Sequence, residues 1–197
     1  MYSAEMNLAL TSERLLLRPL AETDAHVEVE MATDPEVMRH IGEVATKDQI
    51  VRDMANYTKR CAGGCIGIWC VIDRSTNEKL GNAFLLPLAV DEDDTNWDLV
   101  AGDDLPEGEI EIGYMFRKSA WGKGYATEAS NRLLKFAFEE TPLNEVVAVV
   151  DSKNTASRNV LEKCGMAFEG MRRAYAEQRP GFRITRQQWL ERYQRAS

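Results

Sequence analysis

The hydrophobic periodicity changes between residues 109 and 137, and this change limits the folds open to the chain. Polar and apolar residues alternate from Glu109 to Phe116, with carboxylates on one face, which predicts a strand. After Gly122 and Gly124 the apolar residues recur at helical spacing up to about residue 137. The run Val146–Val150 is continuously apolar, as in a strand covered on both faces. Strand, helix and strand in this order predict a right-handed crossover between two parallel strands.

Flanking segments predict antiparallel strands and two early helices. The β-prone runs Ile66–Asp73 and Leu80–Val90 are separated by a turn-like segment and read as an antiparallel pair. Further elements are predicted at Arg14–Leu20 (a first or edge strand), from Thr23 or Asp24 to Met31 and from Thr46 or Asp48 to about Cys61 (helices), from the N-cap Asn154 to Gly165 (a helix), and near Phe182–Trp189 (a returning strand). The predicted class is α+β, with a mixed, mostly antiparallel sheet of six or seven strands flanked by helices.

Length and composition fit one globular unit. The chain has 197 residues, of which 44% are hydrophobic, and no repeat or linker divides it, so we expect one domain over residues 1–197 with an acidic insertion at about 91–107. The longest apolar run, Ala83–Val90, has eight residues, which is too short to span a membrane. No secretory signal is visible at the N-terminus, and we expect a cytoplasmic protein.

The cysteines do not form a pattern typical of a metal site. Cys61, Cys65 and Cys70 have three and four residues between them, and there are only two histidines in the chain. Zinc sites usually bring ligands together at shorter spacing and need a fourth ligand nearby. We expect no metal, and thiols that are reduced and buried.

The net charge of −8 is concentrated in one segment. Ten acidic residues and no basic ones lie between Asp91 and Glu111, so the rest of the chain has a net charge of about +2. This segment would repel a nucleic acid and attract a cationic ligand. We therefore expect no nucleic-acid partner. The alternative is that the segment is only a solvated loop that aids solubility.

The junction at residues 121–129 has the features of an anion site. Glycines let the backbone approach a ligand, and the free amides at a helix start favour phosphate, to which Lys123 adds a positive charge. A plain structural turn is the alternative. It is not the loop of nucleotide triphosphatases, because Lys123 is followed by Gly124 and not by Ser or Thr.

Two motifs in this order resemble a known family. They are Glu111-Ile112-Gly113-Tyr114 followed by Trp121-Gly122-Lys123-Gly124-Tyr125-Ala126-Thr127-Glu128-Ala129, and Asn154 to Gly165. The chain is similar to the GNAT superfamily of N-acetyltransferases, and within it to the ribosomal-protein alanine N-acetyltransferase branch. The resemblance covers about residues 11–175. It implies a sheet that splays open beside Glu109–Phe116, with acetyl-CoA as co-substrate in the opening.

The resemblance also implies which residues hold acetyl-CoA. The pyrophosphate loop maps onto residues 121–126, with Trp121 departing from the usual Gln or Arg. The strand end at Met115 and Phe116 would pair with the pantetheine arm, and Asn154 would hold that arm or help to order the site. The full set of implied cofactor-binding residues is Met115, Phe116, Trp121, Gly122, Lys123, Gly124, Tyr125, Ala126, Thr127, Asn154 and Arg158.

The catalytic candidates are Glu111, Ser157 and Asn154. Many family members protonate the leaving thiolate with a Tyr that aligns here with Leu161, so Ser157, one turn earlier, is the expected donor. Helping to satisfy the helix start is the alternative role for Ser157. Glu111 is expected to accept the proton of the amine directly or through a water, or else only to bind the incoming cation or to pair structurally.

The resemblance implies acetyl transfer to a primary amine by direct attack, without an acyl-enzyme. The acceptor is either a protein N-terminal α-amine or a small molecule such as a polyamine or an aminoglycoside. A non-catalytic acyl-CoA-binding sensor is the alternative from another class, because the family's Tyr is missing at Leu161. A homodimer stays open, and no membrane partner is expected.

Overall fold

The computed structural model describes residues 6–196, with side chains described as far as residue 192. The strands are β1 Leu10–Thr11, β2 Leu15–Pro19, β3 Gly67–Asp73, β4 Lys79–Pro87, β5 Ile110–Phe116, β6 Glu145–Val149, β7 Ala167–Ala174 and β8 Glu177–Thr185. The helices are α1 Ala25–Ala32, α2 Pro35–Met38, α3 Lys47–Tyr57, α4 Tyr125–Glu139, α5 Thr155–Lys163 and α6 Arg186–Ala196.

One mixed sheet carries the fold, in the order β1-β2-β3-β4-β5-β6-β8-β7. Neighbouring strands are antiparallel except β5 and β6, which are parallel as predicted. β4 pairs with β5 along its length, from Gly81 opposite Phe116 to Pro87 opposite Ile110. The β5–β6 pairing, in contrast, is confined to Glu111 opposite Val147. The sheet therefore opens between β5 and β6 beyond that pair.

The sheet has eight strands, so the predicted number of six or seven was too low. β1 is only two residues long, and most residues of β7 are exposed, so neither shows a buried alternation. The returning strand was also misplaced, because β8 ends at Thr185 and the buried Trp189 belongs to α6. α3 ends at Tyr57 and not near Cys61, since Cys61 forms a bridge with Ile66.

The alternation predicted for β5 is confirmed. Ile110, Ile112 and Phe116 belong to the main core, which also holds the apolar stripe of α4. Met115 faces the other way and packs against a smaller cluster of Val27, Met31 and Val37 from α1 and α2. Helices thus cover both faces of β5. No helix among residues 6–196 is long and apolar enough to cross a membrane.

The acidic segment forms the irregular connection between β4 and β5. Its acidic side chains at residues 91–94 are exposed, but Val100 is buried. The Trp97 ring packs at a tilt of 47° against Tyr57 of α3 with centroids 5.6 Å apart, and the Ala62 amide donates to the Gly102 carbonyl. Apolar contacts therefore hold this segment against the fold while its charges face outward.

Candidate active site

A cleft of about 490 Å³ lies where the sheet opens. Its walls are the end of β5, the loop that leads into α4, the first turn of α5, and α2 with the turn that follows it. The two family-like motifs lie far apart in sequence, at residues 111–129 and 154–165. Both contribute residues to this cleft.

The start of α4 presents free backbone donors to the cleft. Gly122 and Gly124 have φ of 72° and 81°, a left-handed conformation that glycine adopts at little cost. Gly124 is the N-cap and supplies no side-chain acceptor. Among the described residues, none accepts a hydrogen bond from the amides of Tyr125, Ala126 or Thr127. These amides and the helix dipole are therefore available to an anion.

The turn before β2 braces this loop from outside the cleft. The Arg14 guanidinium donates to the Lys123 carbonyl (3.0 Å) and lies over the Tyr125 ring (4.7 Å to its centroid). Glu128 accepts from the Arg14 amide, the Ser12 hydroxyl and the Arg14 side chain. Burial acts to raise the pKa of Glu128, but these hydrogen bonds outweigh it and hold the pKa below its ordinary value. The loop conformation is thus fixed by hydrogen bonds from the turn between β1 and β2.

Trp121 connects the loop to the end of β5. Its indole N–H donates to the Phe116 carbonyl at 2.8 Å, while the side chain stays 44% exposed. The residue that departs from the family motif therefore has a structural partner. It fixes the distance between the strand end and the glycine loop.

The first turn of α5 forms the opposite wall. The Asn154 side chain accepts from the Ser157 amide at 3.0 Å and caps the helix, as predicted. The Tyr114 hydroxyl donates to the Ser157 carbonyl at 3.3 Å, and burial raises the pKa of Tyr114. Leu161 is only 3% exposed and belongs to the core. Ser157, and not position 161, is the residue that reaches the cleft.

Glu111 does not line the cleft but lies near the start of β5, where that strand pairs with β6. It is 4% exposed and accepts hydrogen bonds from the Tyr175 hydroxyl at 2.5 Å and the Val149 amide at 3.4 Å. Burial raises the pKa of Glu111 to about 7, although the Tyr175 hydrogen bond opposes this shift. Glu109, its neighbour on the same face, forms ion pairs with Arg172 and Arg183.

Most of the predicted site residues meet in the cleft. Those that line it are Met115, Phe116, Trp121, Gly122, Gly124, Tyr125, Ala126, Thr127, Asn154 and Ser157. Glu111, Lys123 and Arg158 do not line it. The Arg158 guanidinium instead lies 5.6 Å from the Phe168 ring centroid, beside β7. The binding and catalytic roles of all these residues stay predictions.

Sequence reasoning missed the contribution of α2 and its neighbours. Glu36, Arg39 and His40 line the cleft. Glu36 forms an ion pair with Lys118 (2.6 Å), and His40 Nδ1 lies 3.2 Å from the Asp151 carboxylate. Periodicity gave no signal here, because α2 has only four residues. Its N-cap Asp34 and following Pro35 are the local features that could have identified it.

The charges along the cleft differ from those of the whole chain. Arg39, Lys153 and Lys163 line it, against the single acidic residue Glu36. A chain with net charge −8 therefore has a basic cleft, as an anionic ligand requires.

Among residues 6–196 no group of three or more His, Cys, Asp or Glu side chains could hold a metal ion. Burial raises the pKa of the Cys164 thiol to about 12, so it is a poor nucleophile.

Comparison with known proteins gives the same assignment. Residues 14–167 match the model of an acetyltransferase (GNAT) domain. The chain is 30% identical over 161 residues to the uncharacterized protein YkkB of Bacillus subtilis, covering 81% of this chain and 85% of that one. It is 28% identical over 191 residues to the FsC-acetyl coenzyme A-N(2)-transacetylase of Aspergillus fumigatus, covering 92% and 77% of the two chains.

A solved structure extends the likeness to the fold. The spermidine N-acetyltransferase of Vibrio cholerae, in complex with CoA and spermine, superposes with a TM-score of 0.68 at 16% identity, covering 91% of this chain and 99% of that one. The family inferred from the two motifs is thus confirmed. The chain belongs to the GNAT family of acetyl-CoA-dependent N-acetyltransferases.

Proposed function

We propose that this protein transfers the acetyl group of acetyl-CoA to a primary amine by direct attack of the amine on the thioester. The observation that carries the proposal is the start of α4, where left-handed Gly124 and the free amides of residues 125–127 open onto the same cleft as Ser157. An anion site and a hydroxyl donor thus face one space. Binding of the carrier's diphosphate and stabilisation of its departing thiolate are both supported by this arrangement.

The cleft fits acetyl-CoA in both charge and shape. The amides of residues 125–127 would hold the diphosphate, and Lys153 and Lys163 are basic side chains available to further phosphate oxygens. Beyond Glu111, β5 does not pair with β6. That free edge near Met115 and Phe116 would pair with the pantetheine arm as an added strand. Lys123 and Arg158 keep a proposed supporting role at the outer surface of the site.

Ser157 and Glu111 would handle the two protons of the reaction. As the amine nitrogen bonds to the carbonyl carbon and the C–S bond breaks, the Ser157 hydroxyl would donate a hydrogen bond to the departing thiolate and pass it a proton that solvent replaces on the serine. Glu111 would take the proton released by the nitrogen. Because Glu111 does not line the cleft, we propose that this proton travels through a water. Asn154 would order the site by capping α5.

We propose a cationic amine as the acceptor. The exposed carboxylates at residues 91–94 support this choice, because they attract cations toward the face of β5 that carries Glu111. A protein N-terminal α-amine, with a pKa of about 7.7 to 8.0, needs less help from a base than a lysine amine near 10.4. A polyamine or an aminoglycoside is the alternative acceptor.

Ser157→Ala tests the proposed turnover. We expect the rate of thiol release from acetyl-CoA to fall by roughly 100-fold, because the thiolate loses its proton donor, with the Kd for acetyl-CoA unchanged. The assay would use peptides with free N-termini, polyamines and aminoglycosides. Ser152→Ala, an exposed serine of the preceding turn, is the matched control and should keep the full rate.

Two results would contradict the proposal. An unaltered rate in Ser157→Ala would remove Ser157 from the mechanism. Binding of acetyl-CoA without thiol release across the whole amine panel would favour the non-catalytic sensor, which the buried Leu161 leaves as the second candidate.

A further inference from the structure

The tip of the β7–β8 hairpin holds an aromatic residue in a conformation that aromatic residues rarely adopt. Tyr175 and Ala176 form the two-residue turn, with φ of 51° and 57°. Turns of this kind normally use Asn or Gly, because a side chain at positive φ is strained. Such strain is retained where the surrounding structure requires the residue, and it often marks a functional position.

Backbone hydrogen bonds fix this turn against the segment that follows β4. The Tyr175 amide donates to the Ala89 carbonyl at 3.0 Å, and the Ala176 amide donates to the Val90 carbonyl at 3.1 Å. The turn is therefore docked at two successive residues. Its conformation places the Tyr175 side chain over the start of β5.

The Tyr175 hydroxyl reaches the carboxylate of Glu111. It donates to one oxygen at 2.5 Å, while the Val149 amide donates to the other at 3.4 Å. The charged groups that also act on Glu111 are Arg172 of β7 and Arg179 of β8. Asp94 of the acidic segment acts on Tyr175 from the other side. Both oxygens of Glu111 thus have a donor, and among the described side chains only that of Tyr175 donates to it.

We propose that Tyr175 is a positioning residue for Glu111, whose hydroxyl fixes the orientation of the carboxylate and stabilises its ionised, proton-accepting form. The inference rests on the proposed function, in which Glu111 takes the proton of the attacking amine. In that step the N–H bond breaks and the proton ends on Glu111. Tyr175 keeps its own proton and remains a donor throughout.

The electrostatics agree with this geometry. Burial raises the pKa of Tyr175, and the neighbouring Glu111 carboxylate raises it further, so the phenol is protonated at neutral pH. A donor that keeps its proton favours the charged form of its acceptor. Without it, only the Val149 amide, Arg172 and Arg179 would oppose the effect of burial, and the ionisation of Glu111 would shift to higher pH.

Tyr175→Phe tests the proposal, because it keeps the ring, the backbone strain and the packing while removing the donor. We expect the acidic limb of the pH profile of kcat/KM to move up by about one pH unit. At pH values below that limb, kcat/KM of the variant should be roughly 10-fold lower than that of the wild type. At pH values well above it, the two proteins should have the same kcat/KM. KM for acetyl-CoA should not change. A purely structural role would lower the rate equally at every pH.

A direct titration separates this proposal from the proposed function. The carboxyl ¹³C signal of Glu111, identified by its loss in Glu111→Gln, should titrate about one pH unit higher in Tyr175→Phe than in the wild type. If Glu111→Gln keeps the full acetylation rate, the proposed role of Glu111 fails, while this titration still decides the role of Tyr175. An unchanged midpoint would overturn the positioning role.

Two further variants complete the test. Tyr57→Phe removes a hydroxyl near the same Asp94 without a bond to Glu111, and should leave the Glu111 midpoint unmoved. Replacing Tyr175 with 3,5-difluorotyrosine strengthens the donor and should move the midpoint down. A shift in the Tyr57 variant equal to that in the Tyr175 variant, or no downward shift with the fluorinated residue, would contradict the proposal.

Discussion

Glu28 is a buried carboxylate that the reaction does not use. It lies on α1, is 3% exposed, and accepts one hydrogen bond from the Asn82 amide nitrogen at 2.8 Å. The other oxygen of Glu28 and the side-chain oxygen of Asn82 have no partner among the described residues. Burial raises the pKa of Glu28 to about 7, and nearby Asp24 adds to the shift. The folded protein therefore favours the protonated form of Glu28.

Glu28→Gln should remove a pH dependence of stability. The folded state raises the pKa of Glu28 above its unfolded value of 4.5. The stability that protonated Glu28 contributes to the fold is therefore fully present below about pH 4.5 and is lost as the pH rises through 7. From pH 4 to 7 this loss amounts to about 3 kcal/mol in the wild type. The Gln variant should not show this loss. Its free energy of unfolding should therefore increase relative to that of the wild type as the pH rises.

Denaturant unfolding of the two proteins at pH 4, 5.5, 7 and 8 measures this difference. Asp73→Asn is a suitable control, because hydrogen bonds from Ser75 and Tyr125 hold the pKa of Asp73 below its ordinary value of 3.8, so its contribution to stability is lost only at lower pH and should change little from pH 4 to 8. A constant difference between wild type and Glu28→Gln over this range would show that Glu28 does not titrate differently on folding.

The elements that build the site depend on the strand-to-helix junction. β5 supplies an unpaired edge beyond Glu111, and α4 begins with a glycine N-cap that leaves its amides free. An added Cβ at Gly124 would meet only the Arg14 guanidinium, at 3.5 Å. Space is therefore available at this position, and its left-handed φ is the main conformational restriction.

Gly124→Glu should weaken acetyl-CoA binding by at least about 100-fold, because a carboxylate would stand beside the diphosphate. Gly124→Ala is the matched variant, since it carries the same backbone strain of roughly 1 kcal/mol without the charge. It should bind within about 10-fold of the wild type. Isothermal titration calorimetry gives both constants, and equal losses in the two variants would mean that strain, and not charge, governs the loop.

The sequence predicted β5 and α4, in which apolar residues repeat at a regular spacing and pack against the core. The alternation of β5, the stripe of α4 and the cap at Asn154 are all confirmed. β1 and α2 escaped prediction because they are too short for a period to show. Tyr175 escaped because its role depends on a contact with Glu111, 64 residues away, and no local pattern encodes such a contact.

Two regions of opposite charge lie beside the sheet of this protein. Basic side chains line the cleft where an anionic thioester carrier would bind, and exposed acidic side chains at residues 91–94 lie beside the hairpin that covers Glu111. Arg173 of that hairpin pairs with Asp91 at 2.5 Å, which connects the acidic segment to the hairpin. This separation suits an enzyme that brings an anionic donor and a cationic acceptor to one strand from different sides.

We propose that the amides at the start of α4 bind the diphosphate of acetyl-CoA, and a crystal structure of the protein grown with acetyl-CoA would show where the diphosphate lies. We predict diphosphate oxygens about 3 Å from the amide nitrogens of residues 125–127, with the thioester near Ser157. Acetyl-CoA bound with its diphosphate away from this loop, or a cleft left empty at saturating acetyl-CoA, would show that these amides do not bind the diphosphate.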